Sequence, residues 1–258
     1  MVKTLETHLK GIRAEGKALI VPYIMAGAQG LDQLEAELQL LEEANVSAIE
    51  IGIPFSDPVA DGPVIQAAGL KALEAGVSLK GIIKVIQETK VQTPLVIMSY
   101  FNPIYGMGIE TFINELKETT VKGLIIPDLP AEHQDYIQPY LAGTDIAIIQ
   151  LVSLTSPEAR IKELVSQAEG FIYAVTVNGT TGQRQDFDSS VGQYLMKLSQ
   201  QTEVPVLAGF GISQKEQVEQ FLKSCDGAII GSKIVNLFLE NRQQEVKTFM
   251  TEVSALTT

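Results

Sequence analysis

Ile49-Glu50-Ile51-Gly52-Ile53-Pro54-Phe55-Ser56-Asp57-Pro58-Val59-Ala60-Asp61-Gly62-Pro63 passes from a β-branched apolar segment into one rich in Pro and Gly, and an amphipathic stretch, residues 64–75, follows. β-branched side chains suit a pleated strand, and clustered Pro and Gly end regular structure. The segment therefore reads as strand, loop and helix. Side chains alternate faces along a strand, so Ile49 and Ile51 share one face and Glu50 points the other way. Asp61 falls on the loop. One acid on a rigid strand and a second on a loop able to close is an arrangement for positioned acid/base chemistry. A solvated strand-end glutamate with an aspartate capping the next helix fits the same residues.

This unit recurs along the chain. Strands are predicted near residues 18–26, 46–51, 95–100, 123–127, 146–152, 171–175, 204–208 and 227–230. Amphipathic segments separate them at 31–44, 64–75 with 79–89, 109–119, 131–141, 157–167, 191–200 and 214–223, and one long helix over 233–253 follows the last. Strand–helix alternation predicts a parallel sheet. Eight repeats in 258 residues, 45% of them hydrophobic, predict closure into a single-domain (β/α)8 barrel over residues 1–258. The competitor is an open doubly wound sheet, but no Gly-x-Gly-x-x-Gly follows the first strand.

A net charge of −12 with scattered Lys and Arg argues against a polyanionic partner such as DNA or RNA. Cys225 is the only cysteine, which excludes a disulfide framework and points to a reducing, cytoplasmic setting. Residues 1–17 are charged and mixed, unlike a signal peptide. No run of about 18 apolar residues is present to span a membrane.

In a barrel of this kind function sits at the C-terminal strand ends. Those ends carry Tyr23, Glu50, Tyr100 with Asn102, Asp128, Ser153, Thr176, Gly209-Phe210-Gly211 and Gly231-Ser232. Glycines collect after strands six, seven and eight, in Gly179-Thr180-Thr181-Gly182, Gly209-Phe210-Gly211 and Gly231-Ser232. Glycine lets backbone N–H groups approach a ligand closely, and Gly231-Ser232 opens a helix, where the dipole favours an anion. Phosphate bound by backbone amides is the expectation, though strand–helix turns use glycine without a ligand too. With only His8 and His133, a multi-histidine zinc site is excluded and a Ser-His-Asp triad is implausible. No strand end carries a lysine for imine chemistry. What remains is carboxylate acid/base chemistry on a ligand that aromatic side chains can line. Asp57 could join Glu50 and Asp61 around magnesium, but beside Pro58 it fits a turn better.

These residues resemble the tryptophan synthase α subunit family. The similarity lies in Glu50 to Pro63, Met98-Ser99-Tyr100-Phe101-Asn102-Pro103, Ile126-Pro127-Asp128-Leu129-Pro130, Gly179-Thr180-Thr181-Gly182, Gly209-Phe210-Gly211-Ile212 and Gly231-Ser232. The resemblance implies a (β/α)8 TIM barrel with an extra N-terminal helix. It implies retro-aldol cleavage of indole-3-glycerol phosphate to indole and glyceraldehyde 3-phosphate. Glu50 would shuttle protons between the glycerol 3′-hydroxyl and ring C3. Asp61 would hydrogen-bond the ring N–H and stabilise the indolenine-like cation. Tyr23, Tyr100, Tyr173 and Phe210 would line the indole and glycerol region. Gly182, Gly211, Gly231 and Ser232 would hold phosphate, and Thr181 would help close the site. No cofactor is implied for this chain. The implied partner is a β subunit, in an α2β2 heterotetramer, carrying pyridoxal phosphate. The family often has Phe where Tyr23 stands, and an Asp that Met25-Ala26-Gly27-Ala28-Gln29 lacks.

Two other functions fit the same barrel and glycine loops. One is an isomerase acting on a phosphorylated sugar. The other is a non-catalytic barrel that binds and activates a partner.

Overall fold

Inward and outward residues separate cleanly along β1 (Leu19–Met25). Ile20 and Ile24 pack into the outer hydrophobic cluster, whereas Leu19 and Val21 belong to an inner one. The same alternation runs through β2 (Ile49–Gly52) and β3 (Leu95–Met98), and through β4 (Val121–Ile125) apart from a register shift against β3 between Leu95 and Val96. It continues through β5 (Ala147–Ile148), β6 (Gln150–Ser153), β7 (Ile172–Val175), β8 (Val206–Gly209) and β9 (Gly227–Ile230). Most strand residues are buried on both faces, as a parallel sheet wrapped by helices requires, with Met98, Lys122, Leu151, Ser153 and Val175 partly exposed. The computed structural model describes residues 2–176, 189–209 and 211–258.

The strands pair in parallel in the order β5-β4-β3-β2-β1-β9-β8-β7-β6. Only Ile149 separates β5 from β6, and its N–H still donates to the Leu124 carbonyl at 2.9 Å. The two are halves of one stave, so the ring closes through the chain itself. The result is a (β/α)8 barrel, as expected.

The strand tops lead into helices that cover the outside. These are α2 (Leu34–Glu43), α3 (Pro63–Glu74), α4 (Leu79–Glu88), α5 (Phe101–Met107), α6 (Ile109–Leu116) and α7 (Gln138–Leu141). They continue with α8 (Glu158–Ser166), α9 (Ser189–Ser199), α10 (Lys215–Phe221), α11 (Ser232–Leu239) and α12 (Gln243–Ser254). The single long helix expected over 233–253 is two. Asn241 adopts φ 57°, the Arg242 N–H donates to Leu237 O at 2.8 Å and the Asn241 N–H to Phe238 O at 2.9 Å. That is a Schellman ending, with Asn tolerating the left-handed conformation. Residues 131–141 likewise divide into a 3-10 helix, Ala131–Tyr136, and the short α7. The expected 95–100 strand stops at Met98, and α5 begins three residues later.

The extra N-terminal helix is present as α1 (Thr4–Ala14), and it plugs the barrel floor. Leu5 and Leu9 are fully buried within the inner cluster, beside Val96, Ile149 and Phe171. Burying two leucines contributes roughly 3–6 kcal/mol. Polar ties fix its position: the Thr4 N–H donates to Asp145 Oδ1 at 2.9 Å, and Arg13 pairs with Asp226 at 3.2 Å. With the floor filled, the open end of the barrel is at the strand C-termini.

Candidate active site

Glu50 enters the barrel because Ile49 and Ile51 take the outer face of β2. Register places it beside Tyr23 of β1 and Val96 of β3. It is 1% exposed, and its Oε2 has no hydrogen-bond partner among the described residues. Removing a carboxylate from water disfavours its charged form. Burial, helped by the charge of Asp61, pushes Glu50 up to about 8.

Asp61 arrives from above on the β2–α3 loop. Its N–H donates to Pro58 O at 3.1 Å, and Gln66 Nε2, from the first turn of α3, donates to its carbonyl at 2.8 Å. Pro63 then occupies the first helical turn, where its missing N–H costs nothing. Asp61 is 7% exposed. Burial raises its pKa to about 6, while the Tyr100 hydroxyl acts in the opposite direction. Burial thus holds both carboxyls above their ordinary values, Glu50 further than Asp61.

The two acids face a cavity of about 340 Å³ at the C-terminal mouth. Tyr23 and Tyr173 line it, together with Gly211, Gly231 and Ser232. Gly211 adopts φ 81°, a conformation that glycine accepts without strain. Ser232 begins α11, so the cavity reaches first-turn amides that lack helical partners. No Lys or Arg is among the cavity-lining residues described. Lys233, next in the chain, instead places its ammonium 4.2 Å from the Phe249 ring centre. The described part of the mouth thus offers an anion site made of amides and a helix N-terminus.

Tyr100 is placed differently from Tyr23 and Tyr173. It stands behind the Asp61 loop, accepting a hydrogen bond from the Ala60 N–H at 2.9 Å and stacking on Phe55 with ring centres 4.9 Å apart. Thr181, Gly182 and Phe210 lie outside the described residues. Asp57 is exposed. Asp128 serves the scaffold, accepting the Phe101 N–H at the start of α5 at 2.8 Å. Among the described residues no group of three or more His, Cys, Asp or Glu side chains is arranged to hold a metal ion. The sequence reading does not single out the apolar wall formed by Met98, Ile125, Leu151, Val175 and Ile229. Each stands at an inward position of its strand, and extending the alternation to the strand ends finds them.

Fold and site together define a (β/α)8 barrel whose C-terminal mouth holds a largely apolar cavity faced by two buried carboxyl groups. A family model described as tryptophan synthase alpha chain matches residues 9–257. Proteins named tryptophan synthase alpha chain are similar throughout: that of Listeria welshimeri is 58% identical over 250 residues, covering 97% of this chain and 96% of its own. That of Streptococcus thermophilus is 51% identical over 253 residues, covering 97% of each. A solved Mycobacterium tuberculosis tryptophan synthase superposes with a TM-score of 0.91 at 26% identity, over 99% of this chain and 98% of that one. A Legionella pneumophila tryptophan synthase alpha chain gives 0.88 at 25% identity, over 98% and 97%. The chain belongs to the tryptophan synthase alpha chain family. It is a carbon–carbon lyase of tryptophan biosynthesis.

Proposed function

We propose that Glu50 and Asp61 carry retro-aldol cleavage of indole-3-glycerol phosphate into indole and glyceraldehyde 3-phosphate. The observation that supports this reading is that two buried carboxyl groups face one cavity, with Glu50 held further above its ordinary value than Asp61. Two carboxyl groups pushed apart in this way divide the acid and anion roles. Protonated Glu50 gives its proton to ring C3, which makes the indole an electron sink. As the anion it then takes the proton of the 3′-hydroxyl. The C3–C3′ bond breaks, its electron pair returns to the ring, and the 3′-oxygen becomes the aldehyde carbonyl. Asp61 opposes the positive charge on the ring nitrogen while it exists. The phosphate rests on the amides around Gly211, Gly231 and Ser232, with Gly182 contributing from its loop. Tyr23, Tyr173, Tyr100 and Phe210 shape the indole and glycerol region, and Thr181 aids closure. Steady-state indole release tests the assignment. Glu50→Gln keeps the shape and should lower turnover by roughly 10²–10⁴-fold while ligand binding survives. Near-normal turnover would overturn it.

The same reading gives the chain a tryptophan synthase β subunit as partner, in an α2β2 assembly, with pyridoxal phosphate held by that partner. The mouth face supports this. Val59 on the Asp61 loop is 76% exposed, and Tyr105 and Tyr136 are 64% and 56% exposed. Both tyrosines tilt against Phe101, with ring centres 5.9 and 6.1 Å away. Exposed aromatic groups beside a catalytic mouth suit a protein partner. Titration of β subunit should raise the cleavage rate, and an unchanged rate with no complex at micromolar concentration would overturn the pairing. The chain acts as one catalytic domain in the cytoplasm. No described helix is long and apolar enough to cross a membrane.

A further inference from the structure

Tyr23 spans the cavity floor from the anion end to the acid end. Its strand, β1, lies between β9 and β2. A Cβ on Gly231 would stand 3.7 Å from the Tyr23 Cβ, an ordinary contact. A Cβ on Gly52 would fall on the Tyr23 hydroxyl itself. The ring thus starts beside Gly231, where the phosphate is placed, and ends over Gly52. Gly52 is two residues beyond Glu50 and on the same strand face. The hydroxyl occupies the space that a Gly52 side chain would take, next to the acid.

Tyr23 is 5% exposed and lines the cavity. Its hydroxyl makes no hydrogen bond to another described residue. The Glu50 Oε2 on the adjoining strand is buried and has no hydrogen-bond partner among the described residues. The Tyr23 hydroxyl and the unpartnered Glu50 carboxyl, on adjoining strands that line one cavity, define a place for a ligand oxygen. Burial and the nearby acids hold the Tyr23 phenol well above its ordinary pKa, so the group is a donor throughout the working range.

We propose that the Tyr23 hydroxyl is a further substrate-contacting group of the lyase, a hydrogen-bond donor to the glycerol oxygen that Glu50 deprotonates. The proposal rests on the cleavage reaction assigned above. In that reaction the 3′-hydroxyl gives its proton to Glu50 and its oxygen passes through alkoxide character on the way to the aldehyde. A donor at that oxygen binds the developing charge more strongly than the neutral hydroxyl. No proton leaves Tyr23. Its hydrogen bond shortens as the 3′-hydroxyl loses its proton to Glu50 and relaxes as the C3–C3′ bond breaks and the oxygen becomes a carbonyl.

Tyr23→Phe removes one oxygen and leaves the ring on Gly52. The full-length chain is assayed for indole release, alone and with β subunit. The turnover number should fall roughly 10- to 100-fold, the range for a hydrogen bond to a charged group, with the Michaelis constant changed less than about threefold. An analogue whose glycerol hydroxyls are replaced by hydrogen should bind wild type and Tyr23→Phe equally. An unchanged turnover number in Tyr23→Phe overturns the proposal. Weaker binding of the deoxy analogue to the variant also overturns it, since ring packing would then be at fault. A wild-type chain that releases no indole overturns the underlying reaction instead, and that arm is read first.

Discussion

The Tyr100 hydroxyl accepts a 2.9 Å hydrogen bond from the backbone N–H of Ala60. Ala60 immediately precedes Asp61, so a residue at the head of α5 holds the Asp61 loop in place. The same hydroxyl holds Asp61 more acidic than burial alone would.

Tyr100→Phe therefore loses both effects. The loop anchor is worth about 0.5–1.5 kcal/mol, as for a typical internal hydrogen bond. The apparent pKa of Asp61 should rise, moving the acidic limb of the kcat/KM profile to higher pH. A pH profile of the variant checks this, and an unmoved limb would separate Tyr100 from Asp61.

Wild-type kcat/KM should follow a bell in pH. Activity rises as Asp61 ionises near 6 and falls as Glu50 loses its proton near 8. The limbs belong to the interacting pair. Asp61→Asn should remove the acidic limb and, by deleting the charge that raises Glu50, shift the basic limb down. Turnover should drop roughly 10²-fold, the scale for losing one group that stabilises developing charge. A larger change in the Michaelis constant than in turnover would reduce Asp61 to a binding role.

Ser232 offers a test with opposite signs for folding and binding. A carboxylate in the first turn of α11 favours the helix by about 0.3–1 kcal/mol. In the mouth the same charge repels a phosphate. Ser232→Asp should leave the melting temperature unchanged or raised while the substrate Michaelis constant increases at least about tenfold, a like-charge cost near 1.4 kcal/mol. An unaffected Michaelis constant would place the phosphate elsewhere.

Glu37 lies on the core face of α2 with Leu34, Leu38 and Leu41, and burial raises its pKa to about 8. Its folded pKa exceeds the ordinary value of 4.5, so its contribution to stability is present below about 4.5 and is lost as pH rises through about 8. Urea unfolding of Glu37→Gln should show less loss of stability between pH 6 and 9 than wild type, by about 1 kcal/mol or more. Parallel curves for the two proteins would overturn the assignment.

Local rules reached far into this protein. Period-two alternation sends Glu50 inward because Ile49 and Ile51 claim the helix-facing side, and that needs only residues 49–51. The β-branched runs and the Pro/Gly breaks between them determined a parallel barrel, and the family followed from the motifs at the strand tops. The closing helix reads as continuous in sequence because Asn241 carries no strong break signal; its left-handed turn lets α12 fold back beside α11. Tyr100 reads as a strand-end aromatic. Only closure of the ring swings it behind Asp61, since β3 ends two residues earlier. Glu37 reads as a surface glutamate until helix packing buries it. The seat of the Tyr23 hydroxyl on Gly52 depends on β1 and β2 pairing in one register, with residues 27 to 29 positions apart brought side by side. Sequence sets which face each residue takes, because that depends on near neighbours. Tertiary structure alone decides which faces meet, because the register and closure that bring them together are properties of the whole ring.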